Sequence, residues 1–307
     1  MRTGRATLVA LTCTALVLCT AAAGEPSLGP IPLRPLPALT GRGLAARYAA
    51  DSAAITEAAR GTEDPRTSRR LRALAAPGRT FLDFDPRGRA VEVVGDLATA
   101  RRVAVLVPGA DTTLSTFDSR GTASPGGGAR AVYAEARRAD PGARLAVIAW
   151  LGYDTPATLS PGVLTAARAD EGARELRPLV AWLDARGTGV ALLCHSYGTV
   201  VCGRAAKDLD VTDIAVFGSP GLTVSSAAAL HSRARLWAGR AAHDFIRYVP
   251  KIRVLGVGFG TDPAGPGFGA RRFAAGDGGH SDYLSPGSVS LRNLAMVALG
   301  RTDQVSR

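Results

Sequence analysis

Lysine is nearly absent from this 307-residue chain: of its 37 basic residues only Lys207 and Lys251 are lysines, yet the formal net charge is +11. The arginines that make up the rest are scattered or paired, as at Arg69-Arg70, Arg101-Arg102, Arg137-Arg138 and Arg271-Arg272. No basic run is interleaved with aromatics, the pattern a nucleic-acid face requires, so a nucleic-acid partner is not expected. Heavy Arg, Ala and Gly usage with so little Lys reads as coding bias, and leaves at most a weak attraction to acidic cell-envelope surfaces. Histidine is scarce too, with His195, His231, His243 and His280 only. Cysteine is confined to Cys13, Cys19, Cys194 and Cys202. Beyond the N-terminal two dozen residues no stretch is long and apolar enough to span a membrane, and no fixed-period repeat is visible. No metal and no cofactor is expected. The one spacing that invites a dinucleotide reading, Gly256, Gly258 and Gly260, sits late in the chain and follows no first βα crossover.

What is present begins at the N-terminus. Arg2 and Arg5 precede an uncharged apolar stretch over 6–23, and Ala21-Ala22-Ala23-Gly24 offers a small-residue cleavage site. The expectation is a secretory signal over 1–23 and a secreted, extracytoplasmic product. An uncleaved membrane anchor is the rival, because about 18 residues is near the spanning minimum. A Pro-rich linker (24–40), an N-terminal helical segment (41–78) and the main domain (79–307) follow. Cleavage would leave Cys194 and Cys202, for which a disulfide and two buried thiols are both open readings.

From residue 80 onward the hydrophobic pattern changes. Alternating residues at 80–84 and 90–94 flank Asp85-Pro86-Arg87-Gly88, a hairpin signature. Unbroken apolar strands then follow at 103–107, 145–149, 190–194, 214–217 and 234–239, separated by Ala- and Arg-rich helical stretches, with Gly126-Gly127-Gly128 in a polar loop ahead of a helix over 129–138. Strands apolar on both faces imply a mostly parallel central sheet with helices on both sides and an antiparallel N-terminal hairpin. About sixteen residues separate the strands at 214–217 and 234–239, room for one short helix but no large cap domain. The Gly-rich stretch 257–269 is the better choice for a movable rim.

The chemistry centres on Cys194-His195-Ser196-Tyr197-Gly198, where an apolar strand meets a Ser and an apolar helical segment follows. This is a Gly-x-Ser-x-Gly turn with Cys, still a small residue, in the first Gly position. Ser is a weak nucleophile at neutral pH and needs a base, which in turn needs an orienting carboxylate. Elimination favours His280 on the Gly-rich loop 276–283, which follows an expected last strand over 271–274. His195 must point away from its neighbour, His231 lies at the wrong end of the sheet, and His243 lies too close in sequence to the favoured acid. That acid is Asp244, just past the strand ending near Gly239; Asp262 is the weaker alternative, and Asp244 also reads as a helix cap ahead of Phe245-Ile246. Asp213 precedes its strand and belongs to the opposite edge. The oxyanion donors are expected to be the Tyr197 and Ala110 N–H groups, the latter from the turn Pro108-Gly109-Ala110. Tyr153, Asp154 and Phe259 are expected to line the cleft, with packing or capping as the rival role of each.

On these residues the sequence resembles an actinobacterial alpha/beta-hydrolase family catalogued as a domain of unknown function. The matching segments are Val107-Pro108-Gly109, Ala149-Trp150-Leu151-Gly152-Tyr153-Asp154, His195-Ser196-Tyr197-Gly198 and Gly279-His280-Ser281-Asp282-Tyr283-Leu284. Similarity runs from about Thr80 to the C-terminus. The resemblance implies the alpha/beta-hydrolase fold and a Ser196–Asp244–His280 triad, but no substrate. The expected activity is that of an exported serine hydrolase of carboxylic esters, small or lipidic. An envelope acyltransferase or peptidase with the same triad, and a non-catalytic binding module, are the alternatives.

Overall fold

Strands built from unbroken aliphatic runs need cover on both faces, and here they have it. The computed structural model describes residues 32–307, so the expected signal segment and the start of the Pro-rich segment lie outside the described residues. The strands are β1 (Thr80–Asp85), β2 (Arg89–Val94), β3 (Arg102–Val107), β4 (Leu145–Leu151), β5 (Gly189–His195), β6 (Asp213–Phe217), β7 (Arg235–Gly239) and β8 (Arg271–Arg272). They form one sheet in the order β1-β2-β4-β3-β5-β6-β7-β8. The pairs β1/β2 and β2/β4 are antiparallel and the rest parallel. The fold is thus the expected mixed sheet with its antiparallel hairpin at one edge.

The helices are α1 (Gly41–Gly61), α2 (Pro65–Leu74), α3 (Pro125–Ala139), α4 (Ala167–Asp184), α5 (Gly198–Ala205) and α6 (Val289–Leu299). Alternate residues of each strand serve different cores, because successive side chains point to opposite faces. Val103, Val105, Leu192 and Cys194 pack with Leu176 and Leu179 of α4 and Val200 and Val201 of α5. Ala104, Leu106, Ala191 and Leu193 pack with Val132 of α3 and Leu294 and Val297 of α6. The small Ala residues of the second set let α3 and α6 approach closely.

Two details depart from expectation. The Gly126-Gly127-Gly128 cluster is not loop but the first turn of α3, started by Pro125. A Cβ at Gly127 would stand 2.0 Å from the Gly121 carbonyl oxygen, and one at Gly128 2.6 Å from Leu284 Cδ1, so close packing of the helix start selects glycine there. The last strand is also shorter than the expected 271–274, reduced to the Arg271–Arg272 pairing with β7. Between β6 and β7 the only helical turn among the described residues is the 3₁₀ turn Ala228–Leu230, so no cap covers the sheet's carboxyl edge there. The Pro-rich arm is extended but pinned: Leu33 N–H donates to Glu175 (2.9 Å) and Trp182 Nε1–H donates to the Pro37 carbonyl (2.8 Å).

Candidate active site

Ser196 sits between β5 and α5 with φ +52°, in the left-handed region. For a residue with a Cβ this costs about 1–2 kcal/mol, so the surroundings must hold it. They do: Ser196 N–H donates to the Phe217 carbonyl (3.0 Å), while the Thr199 N–H and hydroxyl both donate to the Ser196 carbonyl (3.0 and 2.7 Å). The crossing is tight. A Cβ at Gly198 would lie 2.5 Å from the Val107 and Pro108 oxygens, and one at Gly109 would lie 2.6 Å from Ser196 Cβ. Cys194 has no such conflict because its side chain lies in the core beneath α5, where it is disulfide-bonded to Cys202. The bridge ties the strand before Ser196 to the helix after it.

The Ser196 hydroxyl lies 2.8 Å from His280 Nε2, and His280 Nδ1 lies 2.8 Å from Asp244 Oδ1. Asp244 is fully buried. Burial alone would raise its pKa, but hydrogen bonds from His280, from Tyr283 (2.5 Å, to Oδ2) and from the Ile246 N–H (2.8 Å) outweigh this and hold it below the usual carboxylate range. An ionised carboxylate only accepts, so His280 Nδ1 carries the proton and Nε2 is left as the acceptor for the Ser196 hydroxyl. The Ile246 contact also makes Asp244 the cap of the 3₁₀ turn Phe245–Tyr248, so the two roles foreseen for it coincide. Asp262 is instead ion-paired with Arg240, and His243 lies at the surface against the Asp277 carbonyl.

Ala110 and Tyr197 flank Ser196 in a cavity of about 520 Å³, together with Val163, Leu164, Pro220, Phe245, Val249, Phe259 and Leu284. Among the described residues neither the Ala110 nor the Tyr197 N–H is spent on a loop hydrogen bond. The turn bearing Ala110 is clamped from below and from the side. Tyr153 OH donates to the Pro108 carbonyl (2.8 Å), Asp111 N–H donates to the Pro156 carbonyl (3.0 Å), and the Asp111 carboxylate accepts from the Thr158 N–H (2.9 Å) and hydroxyl (2.6 Å). Phe259 lines the cleft as expected. Tyr153 and Asp154 do not; they border a separate cavity of about 400 Å³. Tyr153, just past the end of β4, is stacked between Trp150 and Tyr197 (5.8 and 6.5 Å between ring centroids), a packing position, and Asp154 faces Arg168 (3.3 Å).

Sequence reasoning missed three contributors. His195 does point away from Ser196, and its Nε2–H donates to the His280 carbonyl (2.8 Å) while its ring packs against His280 and Phe217. Desolvation at its partly buried position, with His280 alongside, pulls its pKa down to about 3, so it is a neutral brace. Tyr283 links Asp244 to the Ala241 N–H (3.0 Å). Asp282 accepts from the Gly279 N–H (2.8 Å) and shapes the loop that carries His280. Only the crowding of polar residues at 277–283 hinted at the last two.

An alpha/beta hydrolase family model matches residues 83–254, more than half of the chain. The chain belongs to the alpha/beta hydrolase family. An uncharacterized protein of Mycobacterium tuberculosis is 35% identical over 259 residues, covering 73% of this chain and 39% of its own length. An uncharacterized Mycobacterium bovis protein is 32% identical over 156 residues, covering 48% of this chain and 58% of its own length. This alpha/beta hydrolase therefore spans about two fifths of the first relative. Among solved structures it is similar to a lidless a/b serine hydrolase from Xanthomonas campestris (16% identity, 73% of this chain and 94% of that one, TM-score 0.42). It is also similar to carboxyl esterase 2 from Tuber melanosporum (12% identity, 80% and 100% coverage, TM-score 0.44).

Proposed function

We propose that this alpha/beta hydrolase is an exported serine hydrolase of carboxylic esters that works through an acyl-enzyme. The observation that carries the reading is the unbroken chain from Ser196 Oγ through His280 to a buried, ionised Asp244 at the floor of an apolar cleft. Ser196 Oγ attacks the ester carbonyl as its proton passes to His280 Nε2, and the oxyanion is held by the Ala110 and Tyr197 N–H groups. Collapse of the tetrahedral adduct releases the alkoxide, which takes the proton from His280. Water then enters, gives its proton to Nε2, attacks the acyl carbonyl, and Ser196 leaves with that proton restored. Asp244 fixes the imidazole and stabilises the imidazolium that forms in each half-reaction. Export rests on the 1–23 stretch, and the Cys194–Cys202 bridge supports an oxidising compartment.

The test is labelling by a fluorophosphonate probe, followed by turnover of p-nitrophenyl esters of increasing chain length. Ser196→Ala should abolish labelling and lower kcat by about 10⁴-fold or more. Folded wild-type protein that neither labels nor turns over any ester would point to the binding-module alternative and defeat the reading.

A further inference from the structure

Soluble proteins scatter their exposed apolar side chains, so concentration at one place needs a cause. Among the described residues the exposed large apolar side chains are, Val289 apart, confined to two segments: Leu159 and Leu164 on one, and Phe245 through Val257 on the other. The segments are joined, since Gly258 N–H donates to the Leu164 carbonyl (2.9 Å) and Val257 bridges Thr165. At the outer tip, Val254 and Val257 exchange two 2.9 Å hydrogen bonds across Leu255, which is 99% exposed and at φ +50°. Leucine suits neither water nor the left-handed conformation at that site.

The patch is continuous with the cleft, because Leu164 and Phe245 belong to both. Within the two segments the charge has one sign. Between Asp244 and Asp262 there is no acidic residue, while Arg247, Lys251 and Arg253 are present, and 155–166 carries no charge at all. Arg247 and Arg253 are exposed; Arg253 directly precedes the apolar tip, and Arg247 lies over the exposed Tyr248 ring (5.8 Å). We infer that the surface formed by 159–164 and 245–257 docks onto an anionic lipid interface, with the Leu255 tip inserted and the arginines on the headgroups, so that the cleft mouth opens onto water-insoluble lipid esters. Apolar side chains with adjacent cations are what such an interface recognises. The substrate class rests on the esterase reading; the docking does not.

The experiment is hydrogen exchange on the full chain, with and without vesicles of phosphatidylglycerol or of phosphatidylcholine alone. Phosphatidylglycerol should slow exchange at 252–258 and phosphatidylcholine should do so less, whatever the N-terminal stretch does. Leu255→Asp should weaken vesicle-induced protection about tenfold or more, and Arg247→Gln with Arg253→Gln about fivefold on anionic vesicles only. Turnover of a long-chain ester carried in vesicles should fall about tenfold in Leu255→Asp, with a short soluble ester unaffected. Exchange at 252–258 unchanged by vesicles would overturn the docking. So would slow exchange without lipid at Leu255 and Gly256, whose N–H groups make no loop hydrogen bond among the described residues, which would mean that a second copy or the chain's own N-terminal stretch covers the patch. A failed esterase reading would appear differently: no turnover of any ester, with vesicle-induced protection intact.

Discussion

Asp213 and Asp244 are both fully buried aspartates on neighbouring strands, one opening β6 and the other just past β7, at opposite edges of the sheet. Their surroundings differ in kind. Asp213 is met by cations, Arg235 through two bonds (2.8 and 2.9 Å) and Arg102 at 3.5 Å, with Trp237 Nε1–H adding a third donor (3.0 Å). Asp244 is met by the Tyr283 hydroxyl, the Ile246 N–H and His280, and no arginine or lysine is ion-paired with it among the described residues. At one edge the charge is neutralised where it stands. At the other it is stabilised by dipoles and left available to an imidazole that, in the proposed mechanism, becomes positive during turnover. On that mechanism the difference separates a structural carboxylate from a working one more clearly than burial does.

The largest effect should come from the same substitution made at both ends. Asp244→Asn removes the acceptor that fixes the His280 tautomer and should lower kcat by about 10⁴-fold with a modest loss of stability. Asp213→Asn should leave kcat within about twofold but cost about 3 kcal/mol, because Arg102 and Arg235 lose their counter-charge. Ester hydrolysis and urea unfolding of both variants make the cross. Equal losses on both axes would erase the distinction.

A smaller effect is shared by the two sites and depends on pH. At each, burial would raise the carboxyl pKa, and the hydrogen bonds win and lower it: from Arg235, Trp237 and Thr212 at Asp213, and from His280, Tyr283 and Ile246 at Asp244. A carboxyl lowered in the folded state stabilises fully above its unfolded value, about pH 4, and that contribution is lost as pH falls through the lowered folded value. Urea midpoints taken from about pH 5 to about pH 2 should fall less steeply in either Asn variant than in wild type. Parallel slopes would show that neither carboxylate is held as described.

The strand alternation and the chain order of turn, acid and base carried most of the architecture, because unbroken aliphatic runs and a small-residue elbow have few folded solutions. Ser196 was reachable from its turn, Asp244 from its place past a strand and His280 by elimination among four histidines, and the structure brings Ser196 and Asp244 each within hydrogen-bond distance of His280. What was not legible depended on side-chain direction. Tyr153 lies in the chain beside plausible cleft residues, but it turns under the Pro108 carbonyl instead of into the cavity. His195 was set aside for pointing away from Ser196, although that direction is how it reaches the His280 backbone. The glycines at 126–128 look like loop until the close approach of Gly121 and Leu284 is known. Local pattern fixes periodicity; which long-range neighbour a side chain meets is a tertiary fact.

The smallest effect is the sharpest probe of the comparison. Tyr283→Phe removes the hydroxyl that donates to Asp244 Oδ2 and accepts from Ala241 N–H, leaving a buried N–H unpaired at a cost of about 1–2 kcal/mol. Trp237→Phe at the other edge removes a donor to Asp213 and should cost about 1 kcal/mol. On stability alone the two are hard to tell apart. Their pH–rate profiles should separate them. With one donor fewer, the Asp244 carboxylate becomes more basic and favours a protonated partner, so the acid limb of kcat/KM should move to higher pH in Tyr283→Phe. Trp237→Phe alters a carboxylate at the edge of the sheet opposite His280, and its profile should superpose on wild type. A loosened fold would lower the amplitude of the Tyr283→Phe profile without displacing the limb, so displacement is the readout that marks Tyr283 as a positioning residue for the Asp244–His280 pair.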